Sequence, residues 1–242
     1  MTAVLKIGDA ELDVASLLEL MRQHSLLPKL VQEVVIDRAI APVECDPDTA
    51  LKTFCQHHSL HTAEQMQAWQ TQHQISTEQM AAIALRNAKV ARYKEETWGP
   101  QVESYFLQRK TQLDRVLYSL IRTKDPSLAQ ELYFRLNDDG EPFVDLAKQY
   151  SEGQEAQTGG LIGPVELSVP HPILARMLSV SQPGQLWSPT PIGEWYVIAR
   201  LEKFVPAQFD EPMRQRLLDE LFKKWLQETL QTTPVEPVLP DQ

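Results

Sequence analysis

Seven of the nine glycines fall between Gly140 and Gly193, and this uneven placement divides the chain into two kinds of sequence. Glycine supplies the backbone conformations that tight turns need and is unfavourable inside helices. The glycine-poor stretches on either side show the apolar spacing of amphipathic helices. The glycine-bearing stretch has short apolar runs separated by Gly and Pro. The distribution therefore separates a glycine-poor, helical part of the chain from a glycine-bearing part with short apolar runs.

Helix-start signals support this division. Asp46 stands before a proline, and Thr62 and Ser76 are each followed three residues later by glutamine, which is the capping-box pattern. A further helix is predicted to begin at Asp210 and to carry a broad apolar face of eight residues: Met213, Leu217, Leu218, Leu221, Phe222, Trp225, Leu226 and Leu230. Such a face cannot stand alone in water and needs cover from another part of the chain.

The middle of the chain reads as alternating strands and helices. Predicted strands cover residues 116–121, 161–165, 185–188 and 195–201, and predicted helices cover residues 127–136, 142–150 and 171–178. The predicted fold class is α+β. Its parts are a helical domain over residues 1–112, an inserted domain over 113–206, an amphipathic helix over 207–231 and a disordered tail over 232–242.

Charge and composition exclude several function classes. The net charge is −10 with no basic segment, which disfavours nucleic acid and anionic membrane surfaces as partners. No apolar run approaches the ~18 residues of a membrane span. The first residues lack the pattern of a signal peptide, and two cysteines are too few for a disulfide framework. We therefore expect a cytoplasmic protein without membrane insertion.

Metal and hydrolase sites are weaker interpretations. Cys55, His57, His58 and His61 lie close in sequence, but a structural zinc site wants four well-placed ligands, so a solvated helix end is favoured. Ser151 lacks the Gly-x-Ser-x-Gly setting of a hydrolase nucleophile. The sequence predicts neither a metal nor a cofactor.

One ordered set of motifs carries a family resemblance. It begins with the run from Phe143 to Glu152, continues with Gly159-Gly160-Leu161-Ile162-Gly163 and Pro183-Gly184, and closes with a strand introduced by Gly193. Over residues 116–202 this order resembles the parvulin-type (PpiC-like) peptidyl-prolyl isomerases. Helices ahead of such a domain and an amphipathic helix behind it resemble the SurA-like and PrsA-like foldases. That resemblance implies a small four-stranded antiparallel sheet with about four helices, inserted in a helical domain that the C-terminal helix completes.

The resemblance also shows where the chain departs from the family. Parvulins place a histidine on the first strand and another on the last strand, with a cysteine or aspartate two residues after the motif serine. Here the first strand offers Ser119, the last offers Trp195 or Tyr196, and the third position is Gly153. The polar set of the family's site is therefore degenerate in this chain.

The apolar residues of the parvulin proline pocket have closer counterparts in this chain than the polar residues do. Ile162, Val169, Ile173 and Leu178 correspond to its apolar residues, and Trp195 is expected beside them. Thr190 matches a hydroxyl position, so Ser119, Thr190 and Tyr196 are the candidate catalytic residues.

The resemblance implies a peptidyl-prolyl isomerase or foldase that binds proline-containing or unfolded polypeptide segments. Rotation about an X-Pro bond must cross ~20 kcal/mol without any proton transfer, so an apolar pocket alone could retain some activity. Without the histidines we expect weak or lost isomerase activity. The alternative is a non-catalytic adaptor or chaperone for a dedicated peptide precursor or export partner.

Overall fold

Capping residues fix where helices begin in the first third of the chain. The computed structural model describes residues 5–235. The Asp46 side chain accepts a hydrogen bond from a first-turn N–H at 2.8 Å, and Thr62 and Ser76 form complete capping boxes with the glutamine three residues later. These bonds satisfy N–H groups that have no partner inside the helix. The predicted starts of these three helices are confirmed.

Ten α-helices and six strands occupy the described residues. The helices are α1 Val14–Gln23, α2 Leu27–Ile40, α3 Pro47–His57, α4 Ala63–His73, α5 Thr77–Trp98, α6 Val102–Leu113, α7 Pro126–Asn137, α8 Phe143–Tyr150, α9 Pro172–Val180 and α10 Glu211–Thr232. The strands are β1 Leu5–Ile7, β2 Ala10–Leu12, β3 Arg115–Thr123, β4 Leu161–Glu166, β5 Leu186–Ile192 and β6 Trp195–Val205. Two 3₁₀ turns add Gly99–Gln101 and Gln154–Thr158.

One compact unit joins the N-terminal helices to the C-terminal helix α10. The apolar face of α10 is covered there: Leu217 and Leu218 are fully buried. Trp225 lies 5.5 Å from the ring of Tyr93 and 6.0 Å from that of Trp98, both on α5. The prediction that the N-terminal helices cover this face is confirmed.

The second compact unit contains the four-stranded antiparallel sheet, in the order β4-β3-β6-β5. Helices α7 and α8 cover one face, where Ile121 and Ile198 are fully buried with Leu146. Helix α9 covers the other face through Leu174 and Leu178. Apolar cores therefore cover both faces of the central strands. The predicted α+β fold class is confirmed.

Strand β5 is longer than the residue 185–188 segment that the sequence predicts. Pro189 and Pro191 discourage a strand assignment because proline cannot donate to a ladder hydrogen bond. Since β5 pairs only with β6 and forms one edge of the sheet, it needs few donors. The strand continues through both prolines, with an irregular register between Trp187 and Thr190.

The two units divide the chain after residues 102 and 213. The sequence-based boundaries after residues 112 and 206 stay predictions. Helix α10 ends at Thr232. Of the predicted disordered tail, residues 236–242 lie outside the described residues.

Candidate functional site

Strand β3 presents alternate residues to the two faces of the sheet. Tyr118, Leu120 and Arg122 point to the α9 face, where they line a cavity of about 670 Å³. Ser119 lies on the opposite face, where its hydroxyl donates to a Glu202 carboxylate oxygen at 2.5 Å. The period of two along a strand separates these neighbours.

Apolar side chains form much of the cavity wall. They come from β3, β4, α9, β5 and β6: Leu120, Leu161, Ile162, Leu174, Ile192 and Val197. Polar and aromatic groups enter from Tyr118, Arg122, Glu155, His171 and Trp195. A largely apolar concave site with a few polar groups suits a small apolar ring that carries an amide, such as proline in a peptide.

An ion pair fills one side of the cavity. Arg122 Nε lies 3.0 Å from Glu155 Oε1, and the Glu155 side chain is nearly fully buried. The Nε–H is not aligned on that oxygen, so the contact is electrostatic rather than a hydrogen bond. Ser151 Oγ donates to the same carboxylate at 2.7 Å. The pair thus brings two opposite charges into the cavity wall.

Gly153 stands beside this pair and leaves room for it. A Cβ built at Gly153 would collide with the Arg122 guanidinium and with the Glu155 carboxylate. A cysteine or aspartate at this position, as the parvulin pattern has, could not coexist with the pair in its present place. Gly153 therefore leaves the space that the ion pair of Arg122 and Glu155 occupies.

Trp195 lies on the same side of the cavity as the ion pair, and two cationic side chains contact its ring. The Arg122 guanidinium lies 5.4 Å from the indole ring centroid, and Lys124 Nζ lies 4.9 Å from it. Contacts at these distances are worth about 0.5–1 kcal/mol at exposed sites. The indole ring is thereby held at the cavity edge.

Tyr118 provides a buried phenol. The residue is only 5% exposed, and among the described residues no hydrogen-bond partner contacts its hydroxyl, although the residue lines the cavity. Burial, helped by the nearby Glu155 carboxylate, raises the pKa of the Tyr118 phenol above its usual value of 10.0, while Arg122 acts in the opposite direction. The hydroxyl therefore stays protonated at neutral pH and can donate.

The Ser-Glu motif after α8 fixes the end of β3. Ser151 Oγ accepts from the Arg122 N–H at 3.1 Å. The Glu152 carboxylate accepts from Thr123 Oγ1 at 2.6 Å and from the Lys124 N–H at 2.9 Å. The Thr123 hydroxyl and, to a smaller extent, the Lys124 N–H lower the pKa of Glu152. The motif therefore holds the strand that carries Arg122.

Replacing Thr123 by valine removes the hydrogen bond from its hydroxyl to Glu152 and should cause a loss of stability that depends on pH. A lowered pKa contributes stability above the ordinary glutamate value of 4.5 and loses it as the pH falls through the lowered value. We expect Thr123→Val to lower Tm by about 3 °C at pH 7, and the difference from wild type to narrow at pH 3. Thermal unfolding followed by circular dichroism measures both; equal differences at the two pH values would contradict the assignment.

The structure brings two of the eight candidate residues into the cavity. Ile162 lines it from β4, and Trp195 lines it from β6. Of the two alternatives on the last strand, Tyr196 lies on the other face, paired with Thr123 of β3. The strand's alternation therefore selects Trp195 for the cavity.

The other candidates lie outside the cavity lining. Val169 is 67% exposed and Ile173 is 45% exposed. Leu178 is fully buried in the core beneath α9. The Thr190 hydroxyl donates to the Ser188 carbonyl at 3.0 Å. Ser119, as described above, faces the opposite side of the sheet.

Sequence reasoning missed Tyr118, Arg122, Glu155 and Leu174. Leu174 follows the predicted Ile173, and a one-residue step turns a helical side chain by about 100°. Tyr118 precedes the predicted Ser119 on β3, where one step changes the face of the sheet. The alternation of Tyr118, Leu120 and Arg122 along β3 is the sequence signal that indicates Tyr118 and Arg122.

The candidate metal residues do not assemble into a site. Among residues 5–235, no group of three or more His, Cys, Asp or Glu side chains could hold a metal ion. The His58 ring instead lies 4.4 Å from Phe54 and 5.5 Å from Trp69. In the same described part of the chain, no helix is both long and apolar enough to cross a membrane.

The sheet, its covering helices and the cavity agree with the architecture that the parvulin resemblance implies. Residues 122–203 match the family model described as "Rotamase: PPIC-type PPIASE domain". The predicted resemblance to a PpiC-like domain is thus confirmed, and this segment of the chain is a PpiC-type domain.

Two relatives that the chain resembles in sequence are both named Chaperone SurA. The chain is 34% identical over 107 residues to Chaperone SurA of Nitrosospira multiformis, covering 40% of this chain and 24% of that protein. It is 30% identical over 115 residues to Chaperone SurA of Methylobacillus flagellatus, covering 43% and 26%. The chain therefore spans about a quarter of the length of these relatives. These matches confirm the predicted SurA-like or PrsA-like foldase resemblance.

Among solved structures, the chain shows a likeness to the peptidylprolyl isomerase PrsA from Bacillus anthracis. That likeness has a TM-score of 0.48 and 19% sequence identity, and it covers 84% of this chain and 95% of PrsA.

Proposed function

We propose that this chain is a foldase that binds proline-containing segments of unfolded polypeptides and isomerises their X-Pro bonds weakly. The observation that carries the proposal is the apolar cavity of the PpiC-type domain, which has Leu120, Ile162 and Leu174 in its wall. Apolar walls bind the proline ring and remove water from the amide beside it. Burial of apolar surface at about 25 cal/mol per Å² supplies the affinity.

Weak rather than full activity follows from the polar groups of the site. Neither β3 nor β6 contains a histidine. Of the histidines in the described residues, His171 lines the cavity, and its Nδ1 accepts the Ile173 N–H at 3.3 Å as a helix cap. The cavity therefore lacks the two-strand histidine arrangement of the family. Any remaining rate enhancement must come from desolvation and from other donors.

A peptide titration tests the binding half of the proposal. Titrating the ¹⁵N-labelled chain with a succinyl-Ala-Ala-Pro-Phe peptide should shift the amide signals of Leu120, Ile162 and Val197, which surround the cavity. The amides of Leu217 and Leu226 on α10 should stay unchanged and serve as internal controls. A saturated titration with no shift at the three cavity residues would refute the binding site.

Exchange spectroscopy on the same samples tests the catalytic half. Uncatalysed X-Pro isomerisation takes about 10–100 s at 25 °C, so even modest catalysis produces measurable cis-trans exchange of the peptide. We expect exchange above the spontaneous rate but well below that of a parvulin with both histidines. Binding without added exchange would instead favour a non-catalytic adaptor for a peptide precursor or export partner. The cytoplasmic location stays a prediction, which subcellular fractionation would test.

A further inference from the structure

Tyr118 combines burial with an unused hydrogen-bonding group. The side chain belongs to the core cluster with Leu120 and Leu174 and is 5% exposed. Buried polar groups in proteins almost always have a hydrogen-bond partner, and each exception needs an explanation. No partner for this hydroxyl occurs among the described residues. Among the described residues, Arg122 Nε is fully enclosed and has no hydrogen-bond partner, whereas the Tyr118 oxygen is not fully enclosed. The hydroxyl therefore opens into the cavity.

The surroundings of Tyr118 keep its phenol protonated, so the hydroxyl can donate a hydrogen bond. Two charged side chains, Glu155 and Arg122, influence its ionisation in opposite directions. Glu155 Oε1 lies within ion-pair distance of Arg122 and accepts from Ser151 Oγ, and no hydrogen bond joins the phenol to either charged side chain. On the apolar side the phenol meets Leu120, Leu174 and their neighbours. A ligand that enters the cavity can therefore accept a hydrogen bond from the phenol.

Amide chemistry decides which ligand atom benefits. In the planar X-Pro amide, resonance places the nitrogen lone pair in the C–N bond, and the carbonyl oxygen is the better acceptor. Twisting by about 90° removes that resonance. The lone pair is then localised on the nitrogen, which becomes an acceptor, and the oxygen loses negative charge. A donor to the nitrogen stabilises the twisted state, whereas a donor to the oxygen stabilises the planar state.

We propose that the Tyr118 hydroxyl is a catalytic hydrogen-bond donor, which bonds to the prolyl nitrogen of the bound segment as the amide twists. The inference rests on the proposed function and assigns a residue to its weak isomerase step. No covalent bond forms or breaks, and the phenol keeps its proton throughout. The donor comes from the chain's own first strand of the four-stranded sheet, and it supplies polar stabilisation in a site where neither β3 nor β6 carries a histidine.

Removal of the hydroxyl alone tests the inference. We expect Tyr118→Phe in the full chain to slow the exchange of a saturating succinyl-Ala-Ala-Pro-Phe peptide about tenfold, because one hydrogen bond of about 1.4 kcal/mol is lost in the twisted state. The dissociation constant should change less than twofold. Tyr133→Phe is the matched control, since Tyr133 loses the same atom on α7, outside the cavity lining, and should leave exchange unchanged.

A second measurement does not require the variant to fold. In the wild-type chain labelled with ¹³Cζ-tyrosine, saturating peptide should shift the Tyr118 resonance and leave that of Tyr133 in place. An unmoved Tyr118 resonance in a saturated complex would overturn the inference.

Four further outcomes would also overturn the assignment, and each has a different meaning for the proposed function. Exchange in Tyr118→Phe equal to wild type would remove Tyr118 from catalysis and leave the foldase proposal standing. Faster exchange in the variant would place the hydroxyl on the carbonyl oxygen of the planar amide. A wild-type chain that binds the peptide without catalysing exchange would exclude any catalytic donor, and one that does not bind it would refute the proposed function itself.

Discussion

Replacing Gly160 by alanine is expected to lower the stability of the PpiC-type domain by about 3 kcal/mol. Gly160 has φ = +86°, where L-residues are strained. A Cβ there would lie 2.8 Å from the Leu120 carbonyl oxygen and 3.0 Å from both the Ala147 Cβ and the Phe143 ring. The oxygen belongs to the backbone of the central strand and cannot move away cheaply. Thermal unfolding should show Tm lowered by about 10 °C.

Gly140→Ala separates the two causes of that loss. Gly140 also has a positive φ, +71°, but a Cβ added there would meet nothing within 4 Å. The control therefore carries conformational strain of about 1 kcal/mol without the close approach. If Gly160→Ala destabilised the chain no more than Gly140→Ala does, the close packing of the Gly-Gly turn on β3 would be wrong.

Trp195→Ala is expected to weaken binding of a proline-containing peptide about thirtyfold. Truncating a tryptophan at a binding site commonly costs about 2 kcal/mol or more, and this ring also contacts Arg122 and Lys124. Tyr196→Ala removes the neighbouring aromatic ring from the opposite face of the sheet, so the affinity should stay within about twofold. Isothermal titration calorimetry with the same peptide measures both.

Comparing the affinities of the Trp195→Ala and Tyr196→Ala variants tests which of these two residues of β6 contacts the peptide. Melting curves of both variants must be recorded, since a folded state is needed for either affinity to be meaningful. Weaker binding in Tyr196→Ala than in Trp195→Ala would show that the cavity described on the α9 face is not where the peptide binds.

The sequence predicts the elements well because local rules determine them. The capping boxes at Thr62 and Ser76, the Gly159-Gly160 turn and the apolar face of α10 each follow from chemistry within a few residues. The order of these elements is enough to indicate the α+β fold and the PpiC-type domain. Boundaries are less accurate where tertiary context decides, as in edge strand β5.

The side-chain content of the site is harder to predict, for a physical reason. Because β3 is buried on both faces, the pattern of apolar residues does not say which face holds the cavity. The hydroxyl of Ser119 favours that residue in the sequence, and the one-residue step to Tyr118 changes the face. Helix α9 is equally ambiguous, since Ile173 and Leu174 are both apolar. The ion pair of Arg122 with Glu155 joins two residues far apart in the chain, a separation that no local pattern encodes.

The prolines of the outer strands have a consequence for a chain that would meet unfolded polypeptides. Both edges of the sheet, β4 and β5, contain proline: Pro164 in one and Pro189 and Pro191 in the other. Exposed strand edges recruit extended chains through their free N–H and C=O groups, and proline removes the donor. Strands β4 and β5 are therefore poor templates for strand addition by an unfolded segment, and side-chain burial in the cavity is the better mode of capture.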